Sequence, residues 1–275
     1  MQKFTFRKTD DFDIGQILTC GQIFRFEQKE NGMFAVWSKN QYAEIVQNDD
    51  EVTINCTDAD YFRHFFDMER DYSAIKRTLI ETGNSEILND AIEFGKGIRI
   101  LNQDLFEMIV SFIISANNNI KRIQLIINRI CAAVGEKTEY GYAFPTYERL
   151  ALCDEAFFSQ MGAGYRARYL AETVQLLDDA FIEELKALST ADARKKLLTL
   201  KGIGPKVADC ILLFGMGRTD SFPVDVWIKR VYRSAFDDGA SEKEMSASLV
   251  RRFGELSGYA QQYLFFYYRE NALKV

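Results

Sequence analysis

Histidine occurs once in these 275 residues, tryptophan twice and proline three times. His64 has no partner motif around it, so a catalytic triad built on imidazole is excluded. The five cysteines, Cys20, Cys56, Cys131, Cys153 and Cys210, never fall into a C-x2-C spacing. Zinc sites and iron–sulfur clusters of the usual pattern are thereby excluded, and a reduced intracellular setting is the simpler expectation. Long apolar runs are missing too: the longest, 109–116, is interrupted by Ser111 and is too short to cross a bilayer. The N-terminus MQKFTFRKTDD has no apolar signal core. A soluble cytoplasmic protein is expected, nucleoid-associated if the cell is bacterial. No low-complexity tract or repeat divides the chain, and its length suffices for one large domain or two or three small ones.

An excess of basic charge is also lacking, since the net charge is −6. Its distribution is uneven. Residues 1–100 carry 12 basic and 18 acidic side chains, whereas 101–275 carry 22 of each. Within the neutral part, 191–233 holds nine basic residues against four aspartates. A basic face can form there, although an ordinary solvated helix surface would look the same by charge alone.

What the chain does contain is two kinds of periodicity. Up to about residue 55, short alternating runs (QIFRF, MFAVW, YAEIV, VTIN) are separated by polar turns and read as an antiparallel sheet. After Thr57 a helical period persists, with start signals at Asp104 and at a Ser241-x-x-Glu244 capping box. The fold class is α+β: an N-terminal antiparallel sheet with flanking helices (1–95) packed on a mainly helical region (96–275).

The stretch 199–232 carries the chemistry. In L-K-G-I-G-P-K one helix is expected to end at Leu200, Gly202 and Gly204 permit a tight hairpin, and a second helix begins at Pro205, where a missing N–H does no harm. Such a turn leaves backbone N–H groups and the positive end of a helix dipole facing outward, which suits a phosphate without net basic charge. Lys206 follows the hairpin directly, and its apolar neighbours Val207, Ala208 and Ile211 should ease loss of its proton, as an amine nucleophile requires. Asp225, in Pro223-Val224-Asp225, precedes another helical run. Its ordinary role is an N-cap, which is compatible with acting beside the lysine.

The hairpin, Lys206 and Pro223-Val224-Asp225 resemble the helix-hairpin-helix, Gly/Pro…Asp superfamily of base-excision glycosylases, in which the lysine marks the bifunctional glycosylase/lyase branch. Further motifs narrow the resemblance to the 8-oxoguanine DNA glycosylase family: C-G-Q-I-F-R-F at 20–26, S-A-N-N-N-I-K-R at 115–122, G-Y-R-A-R-Y at 164–169 and G-Y-A-Q-Q-Y-L-F-F at 258–266. The resemblance implies two helical subdomains and a C-terminal helix lining a base pocket. It implies that Lys206 and Asp225 are catalytic. Gly21, Cys210, Gln261 and Phe265 would bind the flipped base, with the Gly21 carbonyl reading the N7–H that distinguishes 8-oxoguanine from guanine. Tyr165 would wedge into the duplex, and Asn117, Arg122 and Arg166 would hold the orphaned cytosine. Gly202, Gly204 and Trp227 would touch the DNA backbone. Several relatives carry a histidine where this chain has Trp227, whose indole N–H can still donate to a phosphate. No cofactor or catalytic metal is implied, only a monovalent cation on the carbonyls of Leu198, Leu200 and Ile203. The partner is double-stranded DNA containing 8-oxoguanine, bound by a monomer. Two other readings remain: a monofunctional glycosylase for alkylated bases, and a non-catalytic hairpin module that only grips DNA.

Overall fold

A computed structural model describes residues 1–272. Its N-terminal part runs β1 (Gln2–Arg7), α1 (Ile14–Thr19), β2 (Phe26–Gln28), β3 (Phe34–Ser38), β4 (Gln41–Gln47), β5 (Glu51–Cys56), α2 (Ala59–Phe65), α3 (Tyr72–Gly83) and α4 (Glu86–Phe94). The five strands form one antiparallel sheet in the order β1-β5-β4-β3-β2, so the first strand closes beside the last. Alternation explains which face is covered: Val52, Ile54 and Cys56 of β5 point inward and join Phe12, Ile17, Phe62 and Phe66 in a core of their own. Helices α3 and α4, expected within the 1–95 unit, place Leu79, Leu88, Ala91 and Ile92 in the larger helical core instead.

That larger core is built by α5 (Leu105–Ser115), α6 (Ile120–Val134), α7 (Tyr147–Ala151), α8 (Glu155–Met161), α9 (Arg166–Val174), α10 (Asp179–Ala187), α11 (Thr190–Leu197), α12 (Pro205–Met216), α13 (Val226–Val231), α14 (Met245–Phe253) and α15 (Ser257–Ala272). Helix α5 is buried on every side, as its unbroken apolar run requires, and its Asp104 cap accepts the Glu107 N–H at 2.9 Å. Among the described residues no helix is long and apolar enough to cross a membrane.

Four local expectations are corrected. The run QIFRF is a strand only from Phe26 onward, because Gln22 and Arg25 turn inward and bind backbone carbonyls: Gln22 Nε2 donates to Arg99 O (2.8 Å) and Arg25 Nη2 to Tyr142 O (2.5 Å). A small hairpin, β6 (Lys137–Thr138) with β7 (Gly141–Tyr142), interrupts the helical part. The first hairpin helix ends at Leu197 rather than Leu200. In the capping box Glu244 does reach back to the Ser241 N–H (3.2 Å), but Ser241 donates its hydroxyl to the same carboxylate, and α14 starts only at Met245.

Candidate active site

The hairpin between α11 and α12 is set by its glycines for two different reasons. Gly202 has φ +81°, and a Cβ there would stand 2.8 Å from Tyr169 Cβ. Gly204 caps α12 with ordinary φ, and a Cβ there would meet nothing within 4 Å. No side chain caps the start of α12, whose first helical residue is Pro205, so its leading N–H groups face outward. The turn thus presents backbone donors over open space. Of the three carbonyls suggested for a monovalent cation, that of Leu200 already accepts the Ile203 N–H at 3.3 Å. Among the described residues no three His, Cys, Asp or Glu side chains gather to hold a metal.

One residue inside α12, the half-buried Lys206 turns its ammonium toward the ring of Phe112 on α5, 5.6 Å from the centroid. Cys210 lies one turn further on and is buried. Burial pushes its thiol pKa up, with the neighbouring Lys206 charge pulling the other way. Asp225 caps α13: one carboxylate oxygen accepts from both the Trp227 N–H (3.0 Å) and the Ile228 N–H (2.9 Å). Burial raises its pKa above the ordinary carboxylate value, while these N–H bonds and the Lys206 charge lower it. Neither side chain is engaged in an ion pair among the described residues.

Lys206 and Asp225 nevertheless line one cavity, together with Gly21, Phe112, Cys210, Phe214, Pro223, Gln261, Gln262 and Phe265. All six residues expected for catalysis and base binding are therefore brought together. Gly21 sits at φ +90°, and a Cβ there would lie 3.2 Å from the Phe265 ring. Gln261 is buried on α15, and its side-chain oxygen has no hydrogen-bond partner. An acceptor sealed from water in this way is costly unless something entering the cavity donates to it. Behind the wall, Gln22 fixes the Gly21 turn by accepting the Leu101 N–H (2.9 Å), and its own carbonyl accepts from Gln103 Nε2 (2.8 Å).

The remaining expected residues lie outside this cavity. Tyr165 is 56% exposed at the start of α9, and its hydroxyl donates to Ala116 O (3.2 Å). Asn117 is exposed with φ +50°, and Arg122 is exposed with one bond, to Gly162 O (3.3 Å). Arg166 lies beside them and is more enclosed. It is buried, and its guanidinium donates to Ala116 O (2.6 Å), Asn117 O (2.7 Å) and Ala163 O (3.2 Å), so it holds the asparagine loop in place. Trp227 is half-buried beneath Arg230, whose guanidinium stands 4.8 Å from the indole. Sequence reasoning missed Phe112, Phe214 and Gln262, which carry no signal beyond membership of helical runs.

Comparison with known proteins fits this arrangement. A model for the 8-oxoguanine DNA glycosylase N-terminal domain matches residues 4–109, and one for HhH-GPD superfamily base excision DNA repair proteins matches 110–254. A probable N-glycosylase/DNA lyase of Methanothermobacter thermautotrophicus is 32% identical over 76% of this chain and 72% of its own length. The N-glycosylase/DNA lyase of Saccharomyces cerevisiae is 36% identical over 54% of this chain, which spans only 45% of that relative. The 8-oxoguanine glycosylase/lyase of Clostridium acetobutylicum, solved with duplex DNA containing cytosine opposite 8-oxoguanine, superposes with a TM-score of 0.89 at 37% identity, covering 98% of both chains. With two family models that together run through the sheet, the hairpin and both Lys206 and Asp225, the chain belongs to the HhH-GPD superfamily of base excision DNA repair proteins, in its 8-oxoguanine DNA glycosylase family.

Proposed function

We propose that this chain, as a monomer, removes 8-oxoguanine from duplex DNA, preferentially opposite cytosine, and then cuts the strand at the abasic site. The observation that carries the reading is a single cavity holding the Lys206 amine, the Asp225 carboxylate and the unpartnered Gln261 oxygen. One chain supplies every wall of it, so no second copy is required.

A base in duplex DNA must be extruded before it can reach such a cavity, and Tyr165, exposed beside the hairpin, fills the gap it leaves. In the cavity Gln261 accepts from the Watson–Crick edge, Phe265 stacks on the ring and the Gly21 carbonyl accepts the N7–H. Guanine presents a lone pair at N7, so the same carbonyl repels it. The unprotonated Lys206 amine attacks C1′ as the glycosidic bond breaks, and the departing base takes up a proton. Asp225 stabilises the positive charge that gathers on the sugar. The new amine nitrogen then loses a proton and the C1′–O4′ bond breaks, O4′ taking up a proton, which leaves an open-chain Schiff base; loss of a C2′ proton expels the 3′ phosphate by β-elimination, and water hydrolyses the imine to release the lysine. Asn117, Arg122 and Arg166 hold the orphaned cytosine, and the bonds of Arg166 to Ala116 O and Asn117 O also set their loop.

Borohydride reduction during incubation with an 8-oxoguanine:cytosine duplex should trap a covalent protein–DNA adduct. A protein that releases the base without forming an adduct is the monofunctional glycosylase, and one that binds without releasing any base is the gripping module.

A further inference from the structure

The wall that reads the lesion is held from behind by the last helix of the chain. Gln261, Phe265 and Arg269 are spaced four apart and form one stripe of α15. The first two line the cavity; the third stands outside it. Arg269 Nη2 donates to Thr19 O at 2.5 Å, and both Nη2 (2.8 Å) and Nε (3.0 Å) donate to Glu270. Its Nη1 is buried without a partner, at 3.0 Å from where a Cβ on Gly21 would stand. The guanidinium carbon lies 5.3 Å from the Phe265 ring centroid. Beside it on the helix, Gln262 Nε2 donates to Cys20 O at 2.9 Å. Two consecutive carbonyls of the turn that ends in Gly21 are thus tied to α15, and the arginine packs against both the turn and the stacking ring.

We infer that Arg269, with Gln262, is a positioning residue for lesion recognition: it fixes the Gly21 carbonyl at the distance from Phe265 at which N7–H can be read. The inference rests on the proposed 8-oxoguanine activity. A carbonyl that discriminates by one hydrogen bond works only if it cannot retreat, since a turn free to swing away would lose the bond to the lesion and the repulsion of guanine together. Gln22 holds the turn on the far side of Gly21, but Gly21 itself has no side chain to hold it and, as a glycine, can leave its φ of +90° at little steric cost. The clamp supplies the missing stiffness from a helix that already carries the other two base contacts.

The test compares two reactions of the same preparation: single-turnover release of 8-oxoguanine from its duplex with cytosine, and cleavage of a duplex carrying a preformed abasic site. The second needs Lys206, Asp225 and the grip on DNA but has no base to read. In Arg269→Ala, base release should fall roughly ten- to a hundredfold, the worth of one charge-assisted hydrogen bond, while abasic cleavage stays within about twofold. Gln262→Ala should move the ratio in the same direction, and Arg269→Lys, which keeps a donor for Thr19, should recover part of the loss. Unchanged base release in Arg269→Ala, or an equal fall in both reactions, overturns the inference while leaving the glycosylase reading intact. A wild-type protein that cleaves abasic sites but releases no 8-oxoguanine overturns that reading and this inference with it.

Discussion

The cavity and the DNA-facing hairpin sit at opposite ends of the same lysine and are built by opposite means. The cavity wall comes from five distant parts of the chain and is at least half-buried: Gly21, Phe112, Lys206 with Cys210, Asp225, and Gln261 with Phe265. The hairpin is local, exposed and made of backbone, from Leu197 to Pro205. The difference explains how a chain of net charge −6 can act on a polyanion. On the proposed reading, grip is delegated to N–H groups and a helix terminus, while the few charges that matter are placed where low dielectric makes them strong. Binding should still weaken as salt rises.

The comparison predicts that the two regions can be disabled separately. Lys206→Gln should lower base release by at least about a thousandfold, as loss of a nucleophile does, while affinity for the duplex by band shift changes little. An equal loss of binding would merge the two regions. Asp225→Asn comes next, with a fall of roughly a hundred- to a thousandfold. Asparagine caps a helix as well as aspartate, so α13 should survive. The pH profile sharpens this. Because burial raises the Asp225 pKa, wild-type activity should decline on acidification at a pH above that of an ordinary carboxylate, and the asparagine variant should lack this limb. The same raised pKa means that ionising Asp225 disfavours the fold as pH climbs from the ordinary carboxylate value through the raised one. The variant should therefore melt no lower than wild type at neutral pH. The smallest effect separates the two hairpin glycines. Gly202→Ala, with its positive φ and close Tyr169 contact, should destabilise the fold by about 1–3 kcal/mol in thermal melts. Gly204→Ala meets nothing in the protein, so it should melt like wild type and lose only several-fold in duplex affinity.

Legibility in the sequence follows the same division. The hairpin could be read because its parts are contiguous, and Pro205 and Asp225 stand where N1 and N-cap chemistry put them. The five-stranded sheet was mostly visible as alternation, but α1 hid among the strands, and QIFRF alternates for a different reason, its glutamine and arginine being buried on carbonyl partners. The cavity could be assembled only through family resemblance. No periodicity links Gly21 to Gln261, and Phe112 looks like any core residue of α5. Arg166 shows what a motif leaves out: its letters say nothing of the three neighbouring carbonyls that accept from its Nε, Nη1 and Nη2. Gln262 and Arg269 were invisible because their partners are main-chain oxygens near the other end of the chain.

That last separation has a consequence for how the enzyme comes into being. The bond from Gln262 to Cys20 spans 242 residues. This wall of the cavity can therefore close only after the residues up to Gln262 have left the ribosome, whereas the hairpin and its lysine emerge earlier. On the proposed function, a nascent chain would carry the nucleophile before the wall that reads the base, and completion of α15 is the step that adds selectivity.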